Sequence, residues 1–75
     1  SERARMAVIG LIRRDFDEWA NAVTSARGPE ALSPMIDLYR TIEDQEAQEF
    51  ILEHIERLCQ EYHVKVTHKE LGNPG

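Results

Sequence analysis

Seventy-five residues leave room for one small domain, and the single cysteine, Cys59, excludes a disulfide within the chain. A net charge of −5 disfavours nucleic-acid binding, because an acidic surface repels phosphate groups. The apolar run at residues 6–12 is far shorter than the about 20 apolar residues that a membrane-spanning helix needs.

Charge is unevenly distributed along the chain. Residues 1–28 carry five arginines against four acids, whereas residues 29–75 carry ten acids against four bases. Acids on a helix usually solvate its outer face, and this is the favoured interpretation. The alternative is that they meet a basic partner or the arginine-rich first helix.

The first predicted element is a long helix over residues 2–26, which contain no proline and one glycine. Apolar residues recur there at intervals of 3, 4, 3 and 4, which places them on one helical face. We expect the helix to end at Gly28, with Pro29 just beyond it. The residues of this face are Ile9, Ile12, Phe16, Trp19 and Val23.

Residues 28–34 are predicted to form a connector, after which Ser33 as N-cap and Pro34 as first helical residue mark a new helix. Residues 35–63 contain neither proline nor glycine, yet the apolar face changes by about half a turn within them. Two alternatives fit. Either the chain bends near residues 41–44, with Thr41 capping a third helix, or one continuous helix serves two contacts; the bend is favoured.

The sequence pattern changes after residue 63. Residues 64–68 alternate between apolar and polar side chains as a strand does, although a lone strand needs a partner edge. Residues 69–75 contain Gly72, Pro74 and Gly75 and are predicted to be a flexible tail. The predicted domain therefore covers residues 1–68.

No motif for catalysis was found. The four glycines are isolated, and the chain has no paired cysteines, no His-Glu-x-x-His and no Gly-x-Ser-x-Gly. Carboxylates are abundant, but a general acid or base needs a cleft that shifts its pKa, and short helices rarely enclose one. We therefore predict no enzyme, no catalytic residue, no metal and no cofactor.

Cys59 and His63 lie four residues apart and would share one face of a helix. A zinc site there would need two more ligands, for which Glu56 and His68 are the nearest candidates, and a Cys–His nucleophile would need a third group. The favoured interpretation is a half-buried structural cysteine beside a surface histidine.

A helix-turn-helix DNA-binding domain is a further alternative, in which the helix after Thr41 would read the bases. Its exposed positions are acids and glutamines, whereas recognition helices carry arginine, lysine, asparagine or serine. Phosphate contacts would be left to arginines of the first helix. These are Arg3, Arg5, Arg13 and Arg14.

The predicted fold is all-α, with a long, a short and a long helix, in which the first and third pack antiparallel. Apolar residues spread around a large part of both helices, which implies more than one neighbour for each. This predicts that a dimeric helical bundle completes the core. Phe16 and Trp19 would be either core residues or anchors for a partner. The predicted interface residues are Ile9, Ile12, Phe16, Trp19, Val23, Ile51, Ile55, Leu58 and Tyr62.

These observations favour a small cytoplasmic protein–protein interaction module, such as a regulator, adaptor or chaperone-like subunit, that binds by a helix face. A lone cysteine suits a reducing compartment, and a homodimer is the expected state. One alternative is a small DNA-associated transcriptional regulator that uses its N-terminal arginines. The other is a metal or thiol site at Cys59 and His63.

Overall fold

A computed structural model describes residues 11–72, which are mostly helical and contain no strand. In chain order these residues form α1 (Arg13–Arg27), a 3-10 helix (Gly28–Ala31), α2 (Leu32–Thr41) and α3 (Gln45–Tyr62). The predicted all-α class is confirmed for this part of the chain. The predicted first helix over residues 2–26 is wrong at Leu11 and Ile12, which are not helical, and Ile12 is the extended N-cap of α1. The part of that prediction before residue 11, with Ile9, lies outside the described residues.

Helix α1 ends where the sequence predicts. Gly28 follows it with φ 61° and ψ −130°, and its N–H donates to the carbonyl of Thr24. A Cβ atom at Gly28 would meet only the Tyr62 hydroxyl, at 4.0 Å, so space does not require glycine here. The positive φ does, because side chains with a Cβ rarely adopt it.

Helix α2 begins earlier than predicted. Its N-cap is Ala31 and its first residue is Leu32, so Ser33 is not the N-cap and Pro34 is not the first helical residue. The 3-10 helix runs directly into α2, because the backbone of Ala31 is already helical at φ −63° and ψ −19°. Pro34 then lies within the first turn, where its missing N–H leaves no hydrogen bond unmade.

The predicted break after α2 is confirmed, since residues 42–44 separate α2 from α3. The predicted capping role of Thr41 is wrong. Its hydroxyl donates to the carbonyl of Asp37, one turn earlier, at 2.7 Å, and the N-cap position of α3 is occupied by Asp44. Thr41 is therefore the last residue of α2.

Gln48 of α3 forms hydrogen bonds across the break to the end of α2. Its side-chain amide donates to the carbonyl of Tyr39 at 3.2 Å and to that of Ile42 at 3.0 Å. Tyr39 lies near the end of α2 and Ile42 directly follows it. Carbonyl groups at the end of a helix have no hydrogen-bond donor within the helix. The turn thereby directs the apolar faces of α2 and α3 into one core.

That core is formed by all three helices. Phe16 of α1, Met35 of α2 and Ile51 and Ile55 of α3 are its largest fully buried side chains. The Phe16 ring lies 5.5 Å from that of Phe50, centroid to centroid, so α1 and α3 meet directly. The other buried apolar side chains are Ala20, Ala31, Leu32, Ile42, Ala47, Leu58 and Leu71.

The chain after α3 packs back on this core without forming a strand. His63 adopts the left-handed conformation and its N–H donates to the carbonyl of Cys59, which ends α3. Residues 64–67 have no regular structure, because no second strand lies beside them among residues 11–72. Val66 packs against the core instead.

Residues 68–72 form a turn, and Leu71 within it is only 8% exposed. It belongs to the buried core although it lies beyond the predicted domain boundary at residue 68. Thr67 and Glu70 brace the turn, because the hydroxyl of Thr67 donates to the Glu70 carboxylate at 3.3 Å.

Candidate interaction surface

The structure divides the predicted interface residues of α1 between core and solvent. Phe16 is buried and Val23 is half-buried, whereas the side chains of Ile12 and Trp19 are 64% and 38% exposed. The core alternative is therefore confirmed for Phe16, whereas the anchor role of Trp19 stays a prediction. Phe16 is a core residue, and Trp19 rests against it with ring centroids 5.9 Å apart while keeping an exposed edge.

The predicted interface residues of α3 are covered by their own chain. Ile51, Ile55 and Leu58 are buried, and Tyr62 is half-buried against the same core. Their burial needs no second molecule. Of the predicted interface residues that the structure describes, Ile12 and Trp19 are left exposed, and both lie on one flank of α1.

We call this flank the exposed face of α1. Its members follow one another at intervals of 3, 4, 3 and 4, the spacing of a single helical face, and all are exposed to solvent. Sequence reasoning found Ile12 and Trp19 but missed Asp15 and Ala22, because an acid and a lone alanine give no apolar signal. The exposed face of α1 consists of Ile12, Asp15, Trp19, Ala22 and Ala26.

One of the four arginines predicted to contact phosphates is engaged elsewhere. Arg13 donates to the Glu53 carboxylate of α3 at 2.8 Å, and its guanidinium lies 5.8 Å from the centre of the Phe50 ring. Arg14 is exposed to solvent. Arg3 and Arg5 lie outside the described residues.

His54 is a buried polar residue that the sequence did not mark as special. Its side chain is 4% exposed and meets Phe16 edge to face, with ring centroids 5.6 Å apart. The guanidinium of Arg57 donates to Nδ1 at 2.6 Å, which requires an unprotonated nitrogen there. Burial, followed by the positive charge of Arg57, lowers the pKa of His54, and the Asp17 carboxylate opposes this.

Cys59 has the properties of a structural cysteine. Its side chain is half-buried, and burial, aided by the nearby Glu56 carboxylate, raises the pKa of the thiol. A raised pKa disfavours the thiolate that metal binding and nucleophilic attack need. Within residues 11–72 no three histidine, cysteine or carboxylate side chains come together to hold a metal ion.

An open groove of about 670 Å³ runs between α2 and the segment after α3. Three basic and three acidic side chains line it, so its charge favours neither anions nor cations. The charged lining residues are Arg27, Glu30, Asp37, Arg40, Lys65 and Glu70.

Comparison with known proteins gives no match to this chain among protein-family models, curated proteins or solved structures. In the described part of the chain, every helix is too short or too polar to cross a membrane.

Proposed function

We propose that this protein is a small interaction module that acts by binding protein through the exposed face of α1. The observation that carries the proposal is the position of Trp19, a large aromatic side chain left partly in solvent on a helix whose other side is fixed in the core. Tryptophan is among the residues that most often dominate the binding energy of protein interfaces. Ile12 adds a second exposed apolar side chain beside it.

The surroundings of Trp19 support the same function. Ala22 and Ala26 are small, so another helix can approach α1 closely beside the tryptophan ring. Phe16 and Ala20 hold the adjacent side of α1 against the core, so the surface exists before a partner arrives. Such preorganisation lowers the entropic cost of binding.

The proposal includes a homodimer in which two chains complete a helical bundle in a reducing, cytoplasmic compartment. A regulator, an adaptor or a chaperone-like subunit would all act in this way. Neither alternative function is favoured by a specific observation. Arg13 is paired with Glu53, which weakens the phosphate-binding alternative, and the raised pKa of Cys59 weakens the thiol alternative.

A binding experiment with matched variants tests the proposal. Immobilised protein is exposed to an extract of its own cells, and the retained proteins are identified by mass spectrometry. Ala22→Glu places a charge in the exposed face of α1, whereas Asn21→Glu places the same charge on the other side of the helix. We expect Ala22→Glu to lose the proteins that wild type and Asn21→Glu retain; retention of the same proteins by all three would contradict the proposal.

A further inference from the structure

We infer that residues 64–72 form a strap that opens and closes over the core while α1, α2 and α3 stay folded, and that its opening uncovers the thiol of Cys59. The strap is attached to the helices by few contacts, open grooves border it on both sides, and Cys59 lines one of these grooves. The exposed face of α1 takes no part in this motion, which therefore goes beyond the proposed function.

The strap is held to the rest of the fold by side-chain packing rather than by hydrogen bonds. Within residues 11–72, its backbone hydrogen bonds close inside the strap or reach back to Cys59 in the last turn of α3, and none joins it to α1 or α2. The hydrogen bonds between Thr67 and Glu70 also lie inside it. Two apolar side chains attach it to the core, Leu71, which is 8% exposed, and Val66, which is half-buried. Opening therefore breaks few interactions.

Open grooves separate the strap from both helices beside it. The groove of about 670 Å³ lies between the strap and α2, and a second groove, of about 270 Å³, lies between the strap and α3. Val64, Lys65 and Val66 line both grooves, so this part of the strap stands between two open spaces. Segments with few buried contacts are the ones that open locally, in microseconds to seconds, without unfolding of the whole chain.

The three helices supply the centre of the core without the strap. The largest fully buried side chains, Phe16, Met35, Ile51 and Ile55, all belong to α1, α2 or α3. His63, with a φ of 56°, is the residue at which the chain turns away from α3. Rotation of the backbone there moves the strap as a unit and leaves the packing of these four side chains in place.

Cys59 reports on the strap because the two lie on opposite sides of one groove. Its side chain is half-buried, and Val64, Val66 and Leu71 of the strap line the groove with it. The chain contains no other cysteine, so a thiol reagent detects this position alone. Opening removes the strap from beside the thiol, which then reacts faster because access limits thiol reactivity.

Alkylation of Cys59 by iodoacetamide, followed by mass spectrometry, tests the strap. We expect wild type to react more slowly than the chain unfolded in urea, because the closed strap covers the thiol. Leu71→Ala removes one attachment of the strap and should raise the native rate about tenfold, and Val66→Ala, at a half-buried site, about threefold. Lys69→Ala, exposed in the same strap, should leave the rate unchanged.

Phe16→Leu separates opening of the strap from unfolding of the whole chain. The Phe16 ring contacts Phe50 and His54 of α3, so this variant weakens the packing of α1 and lowers the stability of the whole fold. The alkylation rate should nevertheless stay within about twofold of wild type, because the strap opens without global unfolding. Low concentrations of urea should also change the rate little, since local opening exposes little surface. Circular dichroism verifies that each variant retains its helices.

Three results would overturn the inference. A wild-type rate equal to that of the unfolded chain means that the strap does not cover Cys59. An unchanged rate in Leu71→Ala, with its helices retained, means that this side chain does not hold the strap closed. A rate that Phe16→Leu raises as much as Leu71→Ala does, and that rises steeply with urea, means that the thiol is reached only when the whole chain unfolds.

Discussion

His54 shows how one residue can matter to the core without being apolar. It occupies a buried position on α3 because its ring packs edge to face against Phe16 and its Nδ1 atom accepts a hydrogen bond from Arg57. Both interactions suit the neutral imidazole. Protonation would place a positive charge beside the Arg57 guanidinium in a poorly hydrated position, and only the Asp17 carboxylate favours it.

We predict that His54 makes stability depend on pH. In the unfolded chain the histidine titrates near its ordinary pKa of 6.5, whereas in the folded chain its pKa is lower. At pH above 6.5 both states are neutral and the contribution of His54 is fully present. As the pH falls from there through the folded-state pKa, the unfolded chain binds the proton more readily and the free energy of unfolding decreases.

Urea denaturation between about pH 8 and pH 5 measures this dependence. His54→Gln keeps an acceptor for Arg57 but does not titrate, so its stability should fall less than that of the wild type over this range. An equal loss of stability in His54→Gln and wild type would contradict the prediction.

At the scale of elements, the break between α2 and α3 decides the architecture. Without it, the apolar faces of residues 35–42 and 47–62 would point in different directions, as the sequence pattern shows. Gln48 satisfies the two carbonyls of Tyr39 and Ile42 that the break leaves without helical partners. A polar side chain on α3 thus stabilises the end of α2.

We predict that Gln48→Ala lowers the free energy of unfolding by about 1–2 kcal/mol, because two half-buried carbonyls lose their donor. Thermal unfolding followed by circular dichroism measures the change. Glu49→Ala alters the next residue, which is exposed, and should change the free energy of unfolding by less than about 0.5 kcal/mol. Equal stability of the two variants would show that these hydrogen bonds contribute little.

At the scale of the whole molecule, the described chain closes one core from residues far apart in sequence. Phe16 near its start and Leu71 near its end belong to the same cluster as Met35 and Ile51. A domain of this size has a thin margin of stability, so each buried side chain supports a large part of it. The segment after α3 is therefore expected to contribute to folding.

We predict that Leu71→Ala lowers the free energy of unfolding by about 2 kcal/mol, the lower end for a buried leucine, since the site borders solvent. Urea denaturation measures the change. Lys69→Ala, in the same turn but exposed, should have an effect below about 0.5 kcal/mol. If both variants match the wild type, residues 69–75 form a tail outside the domain, as the sequence pattern indicated.

Helical spacing and turn residues in the sequence were enough to predict that most of the described chain is helical and where α1 ends. Helical spacing, the positive φ available to Gly28 and the change of apolar face near residue 42 are local properties, so they can be read without the fold. The sequence also placed Phe16, Ile51, Ile55 and Leu58 among the apolar residues that matter. Local rules erred at Ser33 because the 3-10 helix continues directly into α2, and at Thr41 because its hydroxyl donates within α2 to the carbonyl of Asp37.

Which apolar residues face solvent depends on how α1 packs against α3. Phe16 and Trp19 share one predicted stripe, but the contacts of Phe16 with Phe50 and His54 set the rotation of α1. That rotation buries Phe16 and leaves Trp19 at the edge with Ala22. Helical phase fixes the angle between two side chains on one helix, whereas their burial depends on neighbours that are distant in sequence.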